Sequence, residues 1–166
     1  HSTAVVGQTP TGRSAKLRHR FRGLADFILF EKEYNATMDV LIVDDSILVR
    51  KRVVDLLAET VPDAKVCEAD SVSSAQVQLA GHHMDALVLD LRLPDGSGLE
   101  ILRSAKQRLP GLTVIVLSNY SDGFYRSRCR QLGADFFFDK SQEFMRIVAV
   151  LQSLNEVVDE DAEAGG

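Results

Sequence analysis

Five polar side chains that could perform phosphoryl or metal chemistry each stand at the end of a short apolar run. The set holds three carboxylates, a hydroxyl and an ammonium group: Asp44, Asp45, Asp90, Ser118 and Lys140. Mg²⁺ is commonly held by one or two carboxylates, water and a phosphate oxygen. An ionised aspartate is a competent nucleophile toward phosphorus, and nearby donors stabilise the phosphoryl oxygens. These residue types predict a site for a divalent cation and a phosphoryl group.

The apolar runs before these side chains predict how they are positioned. The runs are VLIV at 40–43, ALVL at 86–89, VIVL at 114–117 and FFFD at 136–139. Short apolar runs bounded by polar turn residues are typical of buried parallel strands. Ligands bind at the carboxyl ends of the strands in an open α/β sheet. Each polar residue alone would be an ordinary cap or surface charge, but together they are expected to converge at one edge.

Strands and helices alternate from residue 39 onward. The pattern predicts strands at 39–43, 64–69, 85–89, 113–117 and 135–138, and helices at 46–60, 72–81, 98–108, 121–132 and 142–157. Either Ser46 or the acidic pair before it is expected to cap the first helix, and Ser71 and Ser141 are expected to cap the second and last helices. Short connections between alternating elements favour a parallel sheet with helices on both faces. The predicted fold class is therefore α/β, doubly wound, with five strands.

Composition limits the classes of function. With 166 residues, 45% of them hydrophobic and 26% charged, the chain is typical of one soluble domain. No apolar run approaches the ~20 residues of a membrane-spanning helix. Two cysteines are too few for a disulfide framework, so we expect a cytoplasmic protein. Residues 39–166 carry 13 Lys/Arg against 21 Asp/Glu, which argues against nucleic-acid binding by the folded body.

The chain ends are interpreted separately from the core. Residues 1–37 form an N-terminal extension with two interpretations: vector-derived sequence before a natural start at Met38, or a basic amphipathic helix over 13–34. Such a helix would dock on the domain, a partner or a membrane surface. Residues 38–157 are predicted to form the domain, and residues 158–166 an acidic, flexible tail.

Four motifs spread over about 100 residues resemble the receiver domain of bacterial two-component response regulators. They are LIVDDS at 41–46, LVLDLRLPDGSGLE at 87–100, VIVLSNY at 114–120 and GADFFFDKS at 133–141. The resemblance implies a flavodoxin-like sheet with strand order 2-1-3-4-5. It also implies that the chain takes part in phosphorelay signal transduction as a phosphoprotein.

The resemblance assigns the phosphoacceptor and the metal ligands. Asp90 would accept a phosphoryl group from a sensor histidine kinase or a histidine phosphotransfer protein. Asp44, Asp45 and Asp90, with the backbone carbonyl of Arg92, would bind Mg²⁺ or Mn²⁺. The chain would catalyse only its own phosphorylation and dephosphorylation, so it is not expected to be a turnover enzyme.

The resemblance also assigns the residues around the phosphoryl group. Ser118 would be the switch hydroxyl and Phe137 the switch aromatic, while Lys140 and the backbone of Asn119 would contact the phosphate. Two positions depart from the family pattern. Asn119 stands where a small residue is usual, and Ser141 replaces a common proline, which puts the usual cis peptide in doubt.

The sequence after Lys140 bears on how a signal would leave the domain. Only 26 residues follow Lys140, so we expect a stand-alone receiver without an output domain. It would act on a downstream protein or form a homodimer through the fourth helix, fifth strand and last helix. Arg126, Arg128 and Arg130 are either a solvated face of the fourth helix or part of that charged surface.

Two alternatives compete with the phosphoacceptor prediction. One is a degenerate receiver that binds proteins without being phosphorylated. The other is a hydrolase of haloacid-dehalogenase type, which also combines an aspartate nucleophile with Mg²⁺. That chemistry needs a second aspartate two residues after the nucleophile, where this chain has Arg92.

Overall fold

The computed structural model describes residues 37–164, so the predictions for residues 1–36 lie outside the described residues. The strands are β1 Asp39–Val43, β2 Lys65–Ala69, β3 Ala86–Leu89, β4 Arg92–Leu93, β5 Gly96–Ser97, β6 Thr113–Ser118 and β7 Phe136–Asp139. The helices are α1 Ile47–Thr60, α2 Val72–Gly81, α3 Gly98–Arg108, α4 Gly123–Gln131 and α5 Arg146–Ala164. The alternation predicted from the sequence is confirmed.

The main sheet contains five parallel strands in the order β2-β1-β3-β6-β7. Counting only these five, the order is 2-1-3-4-5, which confirms the flavodoxin-like topology. β4 and β5 form a separate antiparallel ribbon of two residues in each strand, joined by a turn at Pro94 and Asp95. The order of the main sheet reverses between β1 and β3, which is the position where such folds carry their ligands.

Alternating strand residues feed two apolar cores, one on each face of the sheet. Leu41, Leu87 and Val114 face a cluster that includes Ile101 and Leu102 of α3. The strand residues between them face the opposite cluster, which also contains residues of α1 and α5. Its strand residues include Val40, Ile42, Val88 and Ile115, and its helix residues include Val53, Leu57, Ile147 and Leu151. The sheet is therefore covered on both sides, as the continuous apolar runs predicted.

The helix starts follow their capping side chains. Ser46 and Ser71 cap α1 and α2 as predicted, each accepting a backbone N–H three residues later. Asp122 caps α4. At the other end of α4, Gly133 has a φ of 96°, a left-handed conformation that glycine adopts without steric cost.

The last helix differs from its prediction at both ends. It begins at Arg146 and not near 142, and Ser141 does not cap it. The physical reason is the Asp139 carboxylate, which accepts the backbone N–H groups of Ser141 and Gln142 and holds 140–145 in turns. The helix continues to Ala164, so it includes most of the stretch predicted to be a tail.

Candidate functional site

Three carboxylates meet at the carboxyl edge of the main sheet. Asp44 and Asp45 follow β1 and Asp90 follows β3, and one oxygen from each lies within 4.8 Å of the others. Asp44 and Asp90 are buried, whereas Asp45 is exposed. Three carboxylate oxygens at this spacing fit the donor set of a hard divalent cation.

Lys140 brings a positive charge into the same site from the end of β7. Its Nζ lies 2.6 Å from Oδ2 of Asp44 and 3.1 Å from Oδ2 of Asp90, and only 12% of its side chain is exposed. Burial alone would lower the pKa of Lys140, but hydrogen bonding to Asp44 and the charges of Asp90 and Asp44 outweigh burial and raise it. The ammonium group is therefore charged in the folded protein.

Asp90 is buried beside Asp44 and Lys140. Burial raises the pKa of its carboxyl above the usual value, and the negative charge of Asp44 adds to this effect while Lys140 opposes it. Oδ1 accepts the backbone N–H of Leu91 at 2.8 Å, whereas Oδ2 faces Lys140. One carboxylate oxygen is thus held by the backbone and the other is directed toward the charged cluster.

Gly98 fixes the approach of α3 to Asp90, and the sequence predictions missed this role. A Cβ built on Gly98 would lie 2.1 Å from the backbone oxygen of Asp90 and 2.9 Å from Cα of Leu91. The N–H of Gly98 also donates to the Leu91 oxygen at 2.9 Å. The sequence alone does not distinguish this glycine from others, and only the packing shows that glycine is required for this close approach.

Asp95 ties the ribbon of β4 and β5 to α2. Its carboxylate accepts the N–H groups of Val72 and Ser73 at 2.6 and 3.0 Å. Hydrogen bonds from the Ser73 and Val72 backbone lower the pKa of Asp95. The loop that follows the candidate phosphoacceptor is therefore anchored by a charge at the start of a neighbouring helix.

Ser118 and its loop border the site on the β6 side. Ser118 is fully buried, and its Oγ accepts the backbone N–H of Tyr120 at 3.1 Å. The Tyr120 ring lies under the guanidinium of Arg92, 4.2 Å from the ring centroid. This cation–π contact joins the two loops that follow Asp90 and Ser118. Asn119, which lies between Ser118 and Tyr120 in the sequence, is exposed.

Phe137 is half-buried against the core and is covered by Arg126. The guanidinium carbon of Arg126 lies 4.7 Å from the ring centroid, and Nη1 donates to the Phe137 carbonyl at 3.2 Å. Arg126 also forms an ion pair with Glu143 at 3.0 Å. Of the three arginines singled out on α4, Arg126 thus belongs to the domain's own hydrogen-bond network, while Arg128 and Arg130 are exposed.

Together, the structure brings the side chains of Asp44, Asp45, Asp90 and Lys140 into one cluster. It places Ser118 at the same edge, because Ser118 is the last residue of β6. The backbone N–H of Lys140 donates to the backbone carbonyl oxygen of Ser118 at 3.1 Å. The metal role of the Arg92 carbonyl, the phosphate role of the Asn119 backbone and the switch roles of Ser118 and Phe137 stay predictions. No cis peptide bond occurs within residues 37–164.

A second group of possible metal ligands lies at the opposite, amino edge of the sheet. Asp39, His83 and Asp85 have ligand atoms within 4.8 Å of one another. The Asp85 carboxylate accepts the N–H of Asp39 at 2.7 Å, so part of its bonding capacity serves to join β1 to the segment before β3. This group shares no residue with the carboxyl-edge site.

The fold and the acidic edge define the class of protein. A doubly wound sheet with its charged cluster at the switch point belongs to the flavodoxin-like α/β class. A family model described as the response regulator receiver domain matches residues 40–152. The chain therefore belongs to the response regulator receiver domain family, and a histidine kinase is the kind of partner that this family implies. No described helix is long and apolar enough to span a membrane.

Individual relatives agree with this assignment. The chain is 40% identical over 82 residues to the DNA-binding transcriptional activator DevR/DosR of Mycobacterium tuberculosis, which covers 49% of this chain and 38% of the activator. It is similar in structure to a CheY-like receiver domain protein of Methanospirillum hungatei, with a TM-score of 0.64 and 23% identity, covering 78% and 99% of the two chains.

A third similar protein was solved in complex with Mg²⁺ and a beryllium fluoride. The response regulator TrrA of Thermotoga maritima, in complex with Mg²⁺ and beryllofluoride, has a TM-score of 0.62 and 25% identity and covers 71% of this chain and 99% of its own. The matched part of the chain spans 38% of the DevR/DosR activator and about half of the length of three other curated relatives. The prediction of a receiver without an output domain stays a prediction.

Proposed function

We propose that this domain accepts a phosphoryl group on Asp90 from a phosphorylated histidine, with Mg²⁺ bound by Asp44, Asp45 and Asp90. The observation that carries the proposal is the buried cluster in which Lys140 lies within 3.1 Å of both Asp44 and Asp90. An ammonium ion between two carboxylates is suited to receive a further anion once a cation neutralises the acids.

The transfer follows from the groups at the sheet edge. An oxygen of Asp90 attacks phosphorus and an O–P bond forms. The P–N bond breaks, its electron pair returns to the ring nitrogen, and a donor histidine that is protonated on its other ring nitrogen leaves as neutral imidazole. Lys140 stabilises negative charge on the transferred group. Ser118 uses its oxygen to accept the Tyr120 N–H, which leaves its own O–H to donate to a phosphoryl oxygen. Mg²⁺, when bound, supplies positive charge that reduces repulsion between the carboxylates and the phosphoryl group.

We propose that the partners are a sensor histidine kinase or a histidine phosphotransfer protein upstream and a protein target downstream. Phosphorylation adds negative charge beside Ser118, and the switch residues Ser118 and Phe137 would transmit it to the face of α4, β7 and α5. A homodimer through that face is part of the proposal. The domain is a signalling domain and not a turnover enzyme, because its own Asp90 is the substrate. A location in the cytoplasm stays a prediction.

The test is intact mass after incubation with Mg²⁺ and acetyl phosphate. We expect one phosphoryl adduct on the wild type, which requires Mg²⁺ and is lost in Asp90→Asn. Asp95→Asn is the matched control, since Asp95 lies in the same loop but holds α2. An unmodified wild type under conditions that label a known receiver would favour the alternative, a degenerate receiver that only binds proteins.

A further inference from the structure

The Asp139 carboxylate connects two loops that border the candidate phosphoryl site. Its Oδ1 accepts the backbone N–H of Ser141 at 2.8 Å, the N–H of Gln142 at 3.1 Å and the Ser141 hydroxyl. Its Oδ2 accepts the hydroxyl of Ser121, which belongs to the loop after β6. An ordinary cap serves only its own turn, whereas this carboxylate also bonds across the sheet edge, 18 positions away in sequence.

Each of the two loops carries a group of the proposed chemistry. Ser118 lies three residues before Ser121, and Lys140 directly follows Asp139. A backbone hydrogen bond joins the same two segments, because the N–H of Lys140 donates to the backbone carbonyl oxygen of Ser118 at 3.1 Å. Two hydrogen bonds therefore join the loops after β6 and β7. The backbone bond between Lys140 and Ser118 lies beside the reacting groups, and the side-chain bond between Asp139 and Ser121 reinforces it.

Glu143 holds Asp139 from the other side. The Asp139 N–H donates to Glu143 Oε2 at 2.9 Å, and the Glu143 N–H donates to the backbone carbonyl oxygen of Asp139 at 2.8 Å. Hydrogen bonds from Ser121 and then Ser141 lower the pKa of Asp139 to about 2. Asp139 therefore stays ionised at neutral pH and can accept from all of its donors at once.

We propose that Asp139 is a positioning residue for phosphoryl transfer, which keeps Ser118 and Lys140 in register by bracing the loops that follow β6 and β7. The inference rests on the proposed function, since it concerns the rate of that transfer. Small misplacements of catalytic groups have large effects on rate, because the reacting geometry must be close to that of the transition state.

The substitution Asp139→Asn tests the inference because the amide keeps the shape but can accept hydrogen bonds through only one atom. With acetyl phosphate as donor, we expect the rate constant of phosphorylation to fall roughly ten- to a hundredfold. The Kd for Mg²⁺ should change by a smaller factor than the rate constant, since the three proposed carboxylate ligands are unchanged. A purely structural role would not separate the two quantities in this way.

Asp135→Asn is the matched control at the other end of β7. Asp135 accepts the N–H of Val114 at 2.8 Å and pairs with Lys106 at 2.7 Å, so it also joins β7 to its neighbours but far from the acidic edge. Ser121→Ala is the second variant, which removes only the bridging hydroxyl. It should slow phosphorylation in the same direction, and its effect should not add to that of Asp139→Asn.

Hydrogen–deuterium exchange supplies a readout that needs no phosphorylation. Residues 119–122 and 140–143 should exchange faster in Asp139→Asn than in Asp135→Asn. Equal phosphorylation rates in these two variants, or equal exchange of the two loops, would overturn the inference. If the wild type accepts no phosphoryl group, the proposed function fails, and the exchange comparison alone still decides whether Asp139 braces the loops.

Discussion

Lys140 shows how one side chain organises the candidate site. It lies between the buried carboxylates of Asp44 and Asp90, with only 12% of the side chain exposed. Removal of one partner from a buried ion pair generally costs about 3–5 kcal/mol, because the other charge remains desolvated. The same ammonium thus serves the stability of the domain and the chemistry proposed for it.

Glu143 allows a pH test at the same scale. Hydrogen bonds from the Asp139 N–H and then from Arg126 and Arg146 lower the pKa of Glu143 from 4.5 to about 2. A carboxyl with a depressed folded-state pKa contributes stability above its unfolded pKa and loses it as the pH falls toward the folded value.

We therefore expect Glu143→Gln to lower the free energy of unfolding at neutral pH, and the difference from wild type to shrink as the pH falls from 4.5 toward 2. Urea unfolding of both proteins over that range measures it. Glu156→Gln, which changes an exposed glutamate on α5, is the control. A wild-type advantage that does not change with pH would contradict the assignment of the ionic contacts.

At the scale of elements, the first residue of α3 determines how the loop after β3 packs. Gly98→Ala would place a Cβ 2.1 Å from the Asp90 backbone oxygen, so either α3 or the loop must move. We expect the free energy of unfolding to fall by about 1–3 kcal/mol and the phosphorylation of Asp90 to slow. Chemical denaturation and the intact-mass assay measure the two effects.

Gly123→Ala is the matched substitution, because Gly123 is the first residue of α4 and an added Cβ would contact nothing within 4 Å. We expect it to be neutral or stabilising by about 0.4–1 kcal/mol through the unfolded state. If both variants behaved alike, the close approach of α3 to Asp90 would be disproved.

At the scale of the whole molecule, a cation bound only by the folded state should stabilise the domain. The Asp44, Asp45 and Asp90 oxygens come from two strands that are 46 positions apart, so the cluster exists only after folding. At a Mg²⁺ concentration of 100 times Kd, mass action contributes about 2.7 kcal/mol. For a domain of about 120 residues this corresponds to about 4 °C in Tm for each kcal/mol.

Thermal unfolding with and without Mg²⁺ measures this shift. Asp45→Asn should remove most of this shift, because it takes away one of the three proposed Mg²⁺ ligands. Since Asp45 is exposed, the substitution disturbs no core contact. Asp55→Asn, which removes an exposed acid paired with Lys51 on α1, should leave it unchanged. A shift of equal size in both variants would mean that Mg²⁺ binds elsewhere.

The amino-acid sequence by itself determined the strands, their parallel arrangement and the convergence of the five polar side chains. Those features depend on short-range patterns: apolar runs in the strands, serine caps at Ser46 and Ser71, and short connections that favour right-handed crossovers between parallel strands. Hence Asp44, Asp45, Asp90, Ser118 and Lys140 could be predicted to share an edge before any distance was known.

Only the tertiary structure decided the contacts between segments distant in the chain. The Asp139–Ser121 hydrogen bond, the position of Gly98 against Asp90 and the Arg126–Glu143 pair have no local signature. The start of α5 was missed for a different reason, because the bonds that delay it are local. Helix propensity favoured a start near Ser141, but the backbone N–H groups of Ser141 and Gln142 donate to the nearby Asp139 carboxylate instead, which holds this segment in turns.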